Sequence, residues 1–239
     1  MENSMVKDIE EIINKNIKVT EINGETYSNQ QLHLIRNEDE AVTIEFNDLS
    51  SIIAMVKQEL KKFDLPLFIN IKSETKIEVF SALDLHKNRE KPYYACCNNR
   101  NFRFGSYYNY EDFIIALRSQ FVQNKDSIEL LELLKKVTNS NIVETEDDGI
   151  TQKITASSGA SLCKTVQSAP IRSLAPYRTF NEVEQPTSEF LFRVKEGGSY
   201  ALFEADGGAW QKQAKLNIRE YFEKQFVEEI LQGQVVVVS

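Results

Sequence analysis

The chain has 239 residues, 41% of them hydrophobic and 10% aromatic, with 36 acidic against 28 basic side chains and a net charge of −8. This is enough apolar mass for a packed core, and it excludes the disordered class, in which low hydrophobicity accompanies high net charge. No run approaches the roughly 20 apolar residues that span a bilayer. The negative balance also argues against broad, non-specific binding to phosphate backbones.

The N-terminal MENSMVKDIEEIINKN is acidic and amphipathic, without a basic start or an apolar signal core, so a cytoplasmic protein is expected. The three cysteines, Cys96, Cys97 and Cys163, make no disulfide framework, because the count is odd and two of them are adjacent. With His33 and His86 as the only histidines, no zinc-ligand spacing arises.

Taken in chain order, Val6, Ile9, Ile12 and Ile13 mark a short helix over Ser4–Asn16. KVTEINGETYS places two β-prone arms around Asn23-Gly24, a favoured hairpin turn. AVTIEF at Ala41–Phe46 alternates as a strand. Asn47 or Asp48 then caps a helix with Leu49, Ile52, Ile53, Val56, Leu60 and Phe63 on one face. PLFINIKS and KIEVFSALD form a second hairpin, and the basic KNREK at Lys87–Lys91 reads as a solvated turn.

Asn109 caps a helix over YEDFIIALRSQFV, and Asp126 with Glu129 forms a capping box for SIELLELLKKV. NIVETE and GITQKITAS enclose the turn at Asp147-Asp148-Gly149. Beyond Gly159, KTVQSAPI, EFLFRVKE and SYALFEA read as strands punctuated by Pro170, Pro176 and Pro186. A last helix runs from Ala209 to Leu231, and the closing VVVV needs a sheet to join in the same chain or a neighbour.

The expected fold is α+β, with mixed, mainly antiparallel sheets, about four or five helices and a β-richer C-terminal half. It divides into an α+β lobe at residues 1–150 and a β-rich lobe at 151–239, or forms one continuous domain.

The sequence contains no G-x-S-x-G, Walker A, Rossmann glycine pattern or H-E-x-x-H, so no catalytic residue and no cofactor is assigned. Glu182 with Glu184 and Glu204 with Asp206 are spaced two apart. Together they are weak candidates for holding Mg²⁺ or Mn²⁺, although Arg172, Arg178 and Arg193 are close enough in sequence to pair with them.

DGGAW, Asp206–Trp210, is either an anion-binding loop at a helix N-terminus or a tight turn into that helix. The carboxylates of Asp206 and Glu204 favour the turn, because they already supply negative charge there. If a small nucleotide is the ligand, Tyr177, Arg178, Arg193, Asp206, Gly207, Gly208 and Trp210 are the residues expected to meet it. The aromatics of FRFGSYYNYEDF, from Phe102 to Phe113, either line the core or stack the bases of a single strand.

Three blocks in order carry a resemblance: EDFIIALRSQF (Glu111–Phe121), LAPYRTFNEVEQPTSEFLFRV (Leu174–Val194) and ALFEADGGAWQ (Ala201–Gln211). With ETEDDGITQKITASSGA between them, they resemble a phage and prophage family typified by the YfdQ protein of an enterobacterial prophage. The likeness spans roughly Asp48 to Phe226. It implies a phage- or prophage-encoded protein acting in the cytoplasm of the bacterial host, in host takeover, anti-defence or DNA metabolism, and it supplies no catalytic residues.

Three functions follow, in order of support. The first is a non-enzymatic binding protein that inhibits or sequesters a host factor, whether a host protein or a small nucleotide. The second is an accessory protein of phage replication or recombination that binds single-stranded DNA. The third is a metal-dependent hydrolase. The valine tail adds an expectation of homo-oligomers, and no membrane partner is expected.

Overall fold

The computed structural model describes residues 19–22, 25–28, 42–85, 87–99, 102–138, 142–147, 152–158, 162–168, 171–195 and 198–239. The expected Ser4–Asn16 helix, His33 and His86 lie outside them. The chain divides into two units, Met1–Glu40 and Ala41–Ser239. In the first unit, β1 (Val19–Ile22) and β2 (Glu25–Ser28) pair antiparallel with Ile22 opposite Glu25. This is the hairpin that the Asn-Gly pair predicts.

In the second unit, β3 (Ile44–Phe46) leads into α1 (Leu49–Glu59), which tightens into a 3-10 turn at Leu60–Lys62. There follow β4 (Leu67–Ser73), β5 (Lys76–Ser81) and β6 (Tyr93–Cys96). After them come α2 (Tyr110–Ser119), β7 (Phe121–Val122) and α3 (Lys125–Thr138). The next strands are β8 (Ile142–Asp147), β9 (Gln152–Ser158) and β10 (Leu162–Ser168). Then β11 (Ile171–Pro176), β12 (Ser188–Lys195) and β13 (Ser199–Glu204) precede α4 (Ala209–Gln225), α5 (Val227–Leu231) and β14 (Val235–Val238). This is an α+β fold with mixed, mainly antiparallel sheets, and strands take up more of its C-terminal half.

The first sheet has the order β14-β4-β5-β6-β3, antiparallel in the middle with a parallel strand at each edge. Strand alternation turns Leu67, Ile69, Ile71, Ile77, Val79, Tyr93 and Ala95 to one face, where all are buried. Helices α1 and α4 cover that face with Leu49, Ile52, Ile53, Val56, Ile218 and Phe222. The helix expected to run unbroken from Ala209 to Leu231 bends instead at Phe226. That ring is fully buried in the same core and takes non-helical angles, φ −116 and ψ 32.

A second sheet, β13-β12-β11-β7, packs α2 and α3 over Phe190, Phe192, Val194 and Leu202. Both cores combine residues from before and after position 150, since Phe180 and Val183 enter the first and Leu130 and Leu134 the second. A third sheet orders β10-β9-β8.

The capping box of α3 differs from the expected one. Asn124 Oδ1 accepts from the Ser127 amide at 2.8 Å and Ser127 Oγ accepts from the Asn124 amide at 2.8 Å. Asp126 and Glu129 instead reach β11, through the Ser173 amide at 2.7 Å and Arg172 at 3.4 Å.

Candidate functional site

The residues expected to form one site are placed in three environments. Arg178 follows β11 and is only 4% exposed. Its guanidinium lies 3.9 Å from the centroid of Trp210, between that ring and the rings of Phe104 and Phe190 at 5.6 and 5.4 Å. Nη1 donates to Glu204 at 2.7 Å and Nη2 to the Ser188 hydroxyl. Burial pulls the Arg178 pKa down to about 10, against the opposing pull of Glu204 and Asp206. Arg178 is thus a buried structural cation rather than an open ligand hook.

DGGAW is the turn that the charge argument favours. The Asp206 carboxylate accepts from the Gly208 amide at 3.1 Å, and its backbone carbonyl accepts from the Ala209 amide at 3.2 Å. Burial opposes ionisation of Asp206, but the Ser188 hydroxyl, the amides of Gly208 and Trp210 and the Arg178 charge outweigh it and hold the carboxyl below its ordinary value. The amides that a phosphate would need are therefore already matched. Gly207 and Gly208 take φ of +62 and +83, the left-handed region that favours glycine.

Arg193 does not join this cluster. Along β12, Ser188, Phe190, Phe192 and Val194 are buried and the residues between them are not, so Arg193 stands on the opposite face from Ser188. Tyr177 is half-buried, with its amide bonded to the Gln120 carbonyl at 2.9 Å.

The four carboxylates also separate. Glu182 accepts from the amides of Leu49 and Ser50, at 2.6 and 3.3 Å, and so caps α1 alongside Asp48. Glu204 is bound to Arg178, and Glu184 is exposed with its backbone carbonyl taken by Asn217 at 2.8 Å. Among the described residues, no group of three or more His, Cys, Asp or Glu side chains is gathered to hold a metal ion.

The aromatic run likewise serves the core. Phe102 stacks on Tyr108 at 4.7 Å and meets Phe113 and Phe121 edge-on, while Phe104 stacks on Phe190 at 4.9 Å. Phe102 and Phe113 are buried, and Tyr107, the more open ring, carries the Lys195 ammonium 3.9 Å from its centroid. No base-stacking platform is formed by these rings.

What the sequence reading missed lies on the far face of the five-stranded sheet. Phe68 and Phe80 are opposite each other on β4 and β5 and stack at 5.6 Å with an interplanar angle of 11°. Arg89, from the basic KNREK segment, lies 4.8 Å from the Phe80 centroid and 5.6 Å from that of Phe68. It is held there by a bond from Nη1 to the Ser81 carbonyl at 2.8 Å. Val236 stands opposite Phe68, and Tyr94 lies on this same face. The signal was present: alternation in PLFINIKS and KIEVFSALD puts two phenylalanines where a solvated face calls for polar residues.

No family model, no curated protein and no solved structure matches the chain. Among the described residues, no helix is long and apolar enough to cross a membrane.

Proposed function

We propose that this chain is a non-enzymatic binding protein of a phage or prophage that inhibits or sequesters a host polypeptide in the bacterial cytoplasm. The observation that carries the reading is the Phe68–Phe80–Arg89 cluster on the sheet face opposite the helices. Phe68 and Phe80 are stacked and half-buried and Arg89 is exposed above them, and aromatic side chains and arginine are the residue types that dominate binding energy in protein interfaces. Phe68 and Phe80 are fixed by their strands and Arg89 by Ser81, so little side-chain freedom is lost on docking. The host-directed part of the proposal rests on the resemblance of the three sequence blocks to phage and prophage proteins. A polypeptide is favoured over a nucleotide, because Arg178 and Arg193 point into different surroundings and the Gly208, Ala209 and Trp210 amides are already bonded.

The test is native mass spectrometry of the full chain purified from a bacterial host, before and after denaturation, beside the variant with Phe80→Ala and Arg89→Ala. A host polypeptide at fixed stoichiometry, lost in the variant, is the expected result. A bound nucleotide, or a wild-type chain that carries nothing, counts against the reading.

A further inference from the structure

We propose that β14 is a self-pairing edge, through which two copies of this chain join about a two-fold axis into one continuous sheet. The proposal is independent of the aromatic face, although pairing would set two such faces side by side. Strand β14 ends the order β14-β4-β5-β6-β3 and lies parallel to β4, with Val235 opposite Leu67 and Val238 opposite Asn70. Among the described residues, no strand pairs with its other side.

The Leu67 amide donates to the Gln234 carbonyl at 2.9 Å. A strand's period of two therefore turns the backbone groups of Gln234, Val236 and Val238 toward β4 and those of Val235 and Val237 outward. Edge strands are normally guarded by lysine, proline, a bulge or an inward charge. Val235–Val238 carries none of these and keeps an unbroken register with β4.

Antiparallel pairing centred on Val236 satisfies this edge. Val235 then lies opposite Val237 of the copy, and each pair exchanges both N–H···O bonds, so every outward group on the two strands finds a partner. The axis is perpendicular to the sheet and keeps both helical layers on one side.

Beside the strand lies a groove of about 430 Å³ floored by Val227, Ile230, Leu231, Val235 and Val237. Leu231 is 83% and Val227 52% exposed, so two aliphatic side chains stand in water next to the open edge.

Charge complementarity selects a second copy as the occupant. The groove is rimmed by one cation and one carboxylate, Arg219 and Glu223, 2.7 Å apart on α4. An isologous interface needs both signs on the same patch, since each residue meets its opposite number's neighbour across the axis. A uniformly basic or acidic peptide would leave one of the two facing its own sign.

The test uses the full chain in light scattering across a concentration series, with hydrogen exchange of the Val235 and Val237 amides. The expected result is a dimer with both amides protected. In Leu231→Glu, whose side chain is exposed in the single chain, the dissociation constant should rise by roughly tenfold or more while the thermal midpoint of the diluted chain stays unchanged. Arg219→Glu and Glu223→Arg should each weaken the dimer, and mixing the two variants should restore it as a heterodimer. A wild-type chain that stays monomeric overturns the proposal. So does a dimer indifferent to Leu231→Glu, which would place the interface elsewhere. A foreign polypeptide lost on Leu231→Glu, with no self-association, assigns the edge to another partner and also overturns it.

Discussion

The guanidinium of Arg178 lies 3.9 Å from the centroid of the Trp210 ring, and through it the loop after β11 is fastened to the first turn of α4. The same side chain donates to Glu204 at the end of β13 and to Ser188 at the start of β12. One cation thus ties together four segments that lie apart in sequence. The interior tolerates it because aromatic faces and two oxygen acceptors replace water around it.

Arg178→Ala is therefore expected to lower unfolding stability by about 3 kcal/mol, since it empties the space against Trp210 and takes the donor from the buried Ser188 hydroxyl. Glu204→Ala should cost only about 1 kcal/mol, because the Glu204 side chain is 43% exposed and water can replace it at the rim. Urea midpoints of the two variants measure the ranking. Equal and small shifts for both would show that Arg178 is not the fastener.

Gly207 and Gly208 test the turn reading of DGGAW separately. A Cβ at Gly207 meets nothing within 4 Å, and one at Gly208 meets only Gln211 Oε1 at 3.7 Å. Space is thus available, and the cost of alanine comes from the left-handed φ alone, about 1 kcal/mol at each position. Asparagine, which tolerates that region, should cost less than alanine. Thermal unfolding of Gly208→Ala beside Gly208→Asn gives the comparison, and identical midpoints for both would remove the conformational argument.

How much of this could be read from the sequence depended on the range of each interaction. Asn109 as the cap of α2, Asn47 or Asp48 as the cap of α1, which the structure resolves to Asp48, and the β4–β5 hairpin are local, fixed by side chains and alternation within a few residues. The capping box of α3 slipped because Asn124–Ser127 and Asp126–Glu129 both fit the pattern. Only tertiary structure shows that β11 recruits the second pair.

Arg178 was legible as important but not as buried, because the rings that receive it come from Phe104, Phe190 and Trp210. The valine tail was legible as a strand in need of a sheet, and it finds β4 in its own chain. Its open side is visible only once the strand order is known.

Glu182 gives the clearest long-range case, because it caps α1 from 133 positions away along the chain. Asp48 already serves Ser51 at the same helix end. Glu182→Ala should cost about 1 kcal/mol, the usual loss for a helix cap. Combined with Asp48→Ala, the loss should depart from the sum of the single variants, because both act on one set of amides. A double-mutant cycle in urea reads the coupling, and strict additivity would mean that Glu182 and Asp48 act on different structures.

Acid stability follows from the same carboxylates. The Ser50 hydroxyl, with the Ser51 amide and hydroxyl, holds Asp48 below the ordinary value of 3.8 despite some burial. Asp206 is likewise held below 3.8. A carboxyl with a depressed folded-state pKa binds fewer protons folded than unfolded. Its stabilisation is complete above 3.8 and is lost as pH falls through the depressed value. Urea midpoints should therefore fall steeply as the solution is acidified below 3.8. The variant carrying Asp48→Asn and Asp206→Asn should start from lower stability at neutral pH and show a shallower fall. If it keeps the wild-type slope, these two carboxyls are not the groups through which acid acts, and other native-state carboxylates must be carrying the protons.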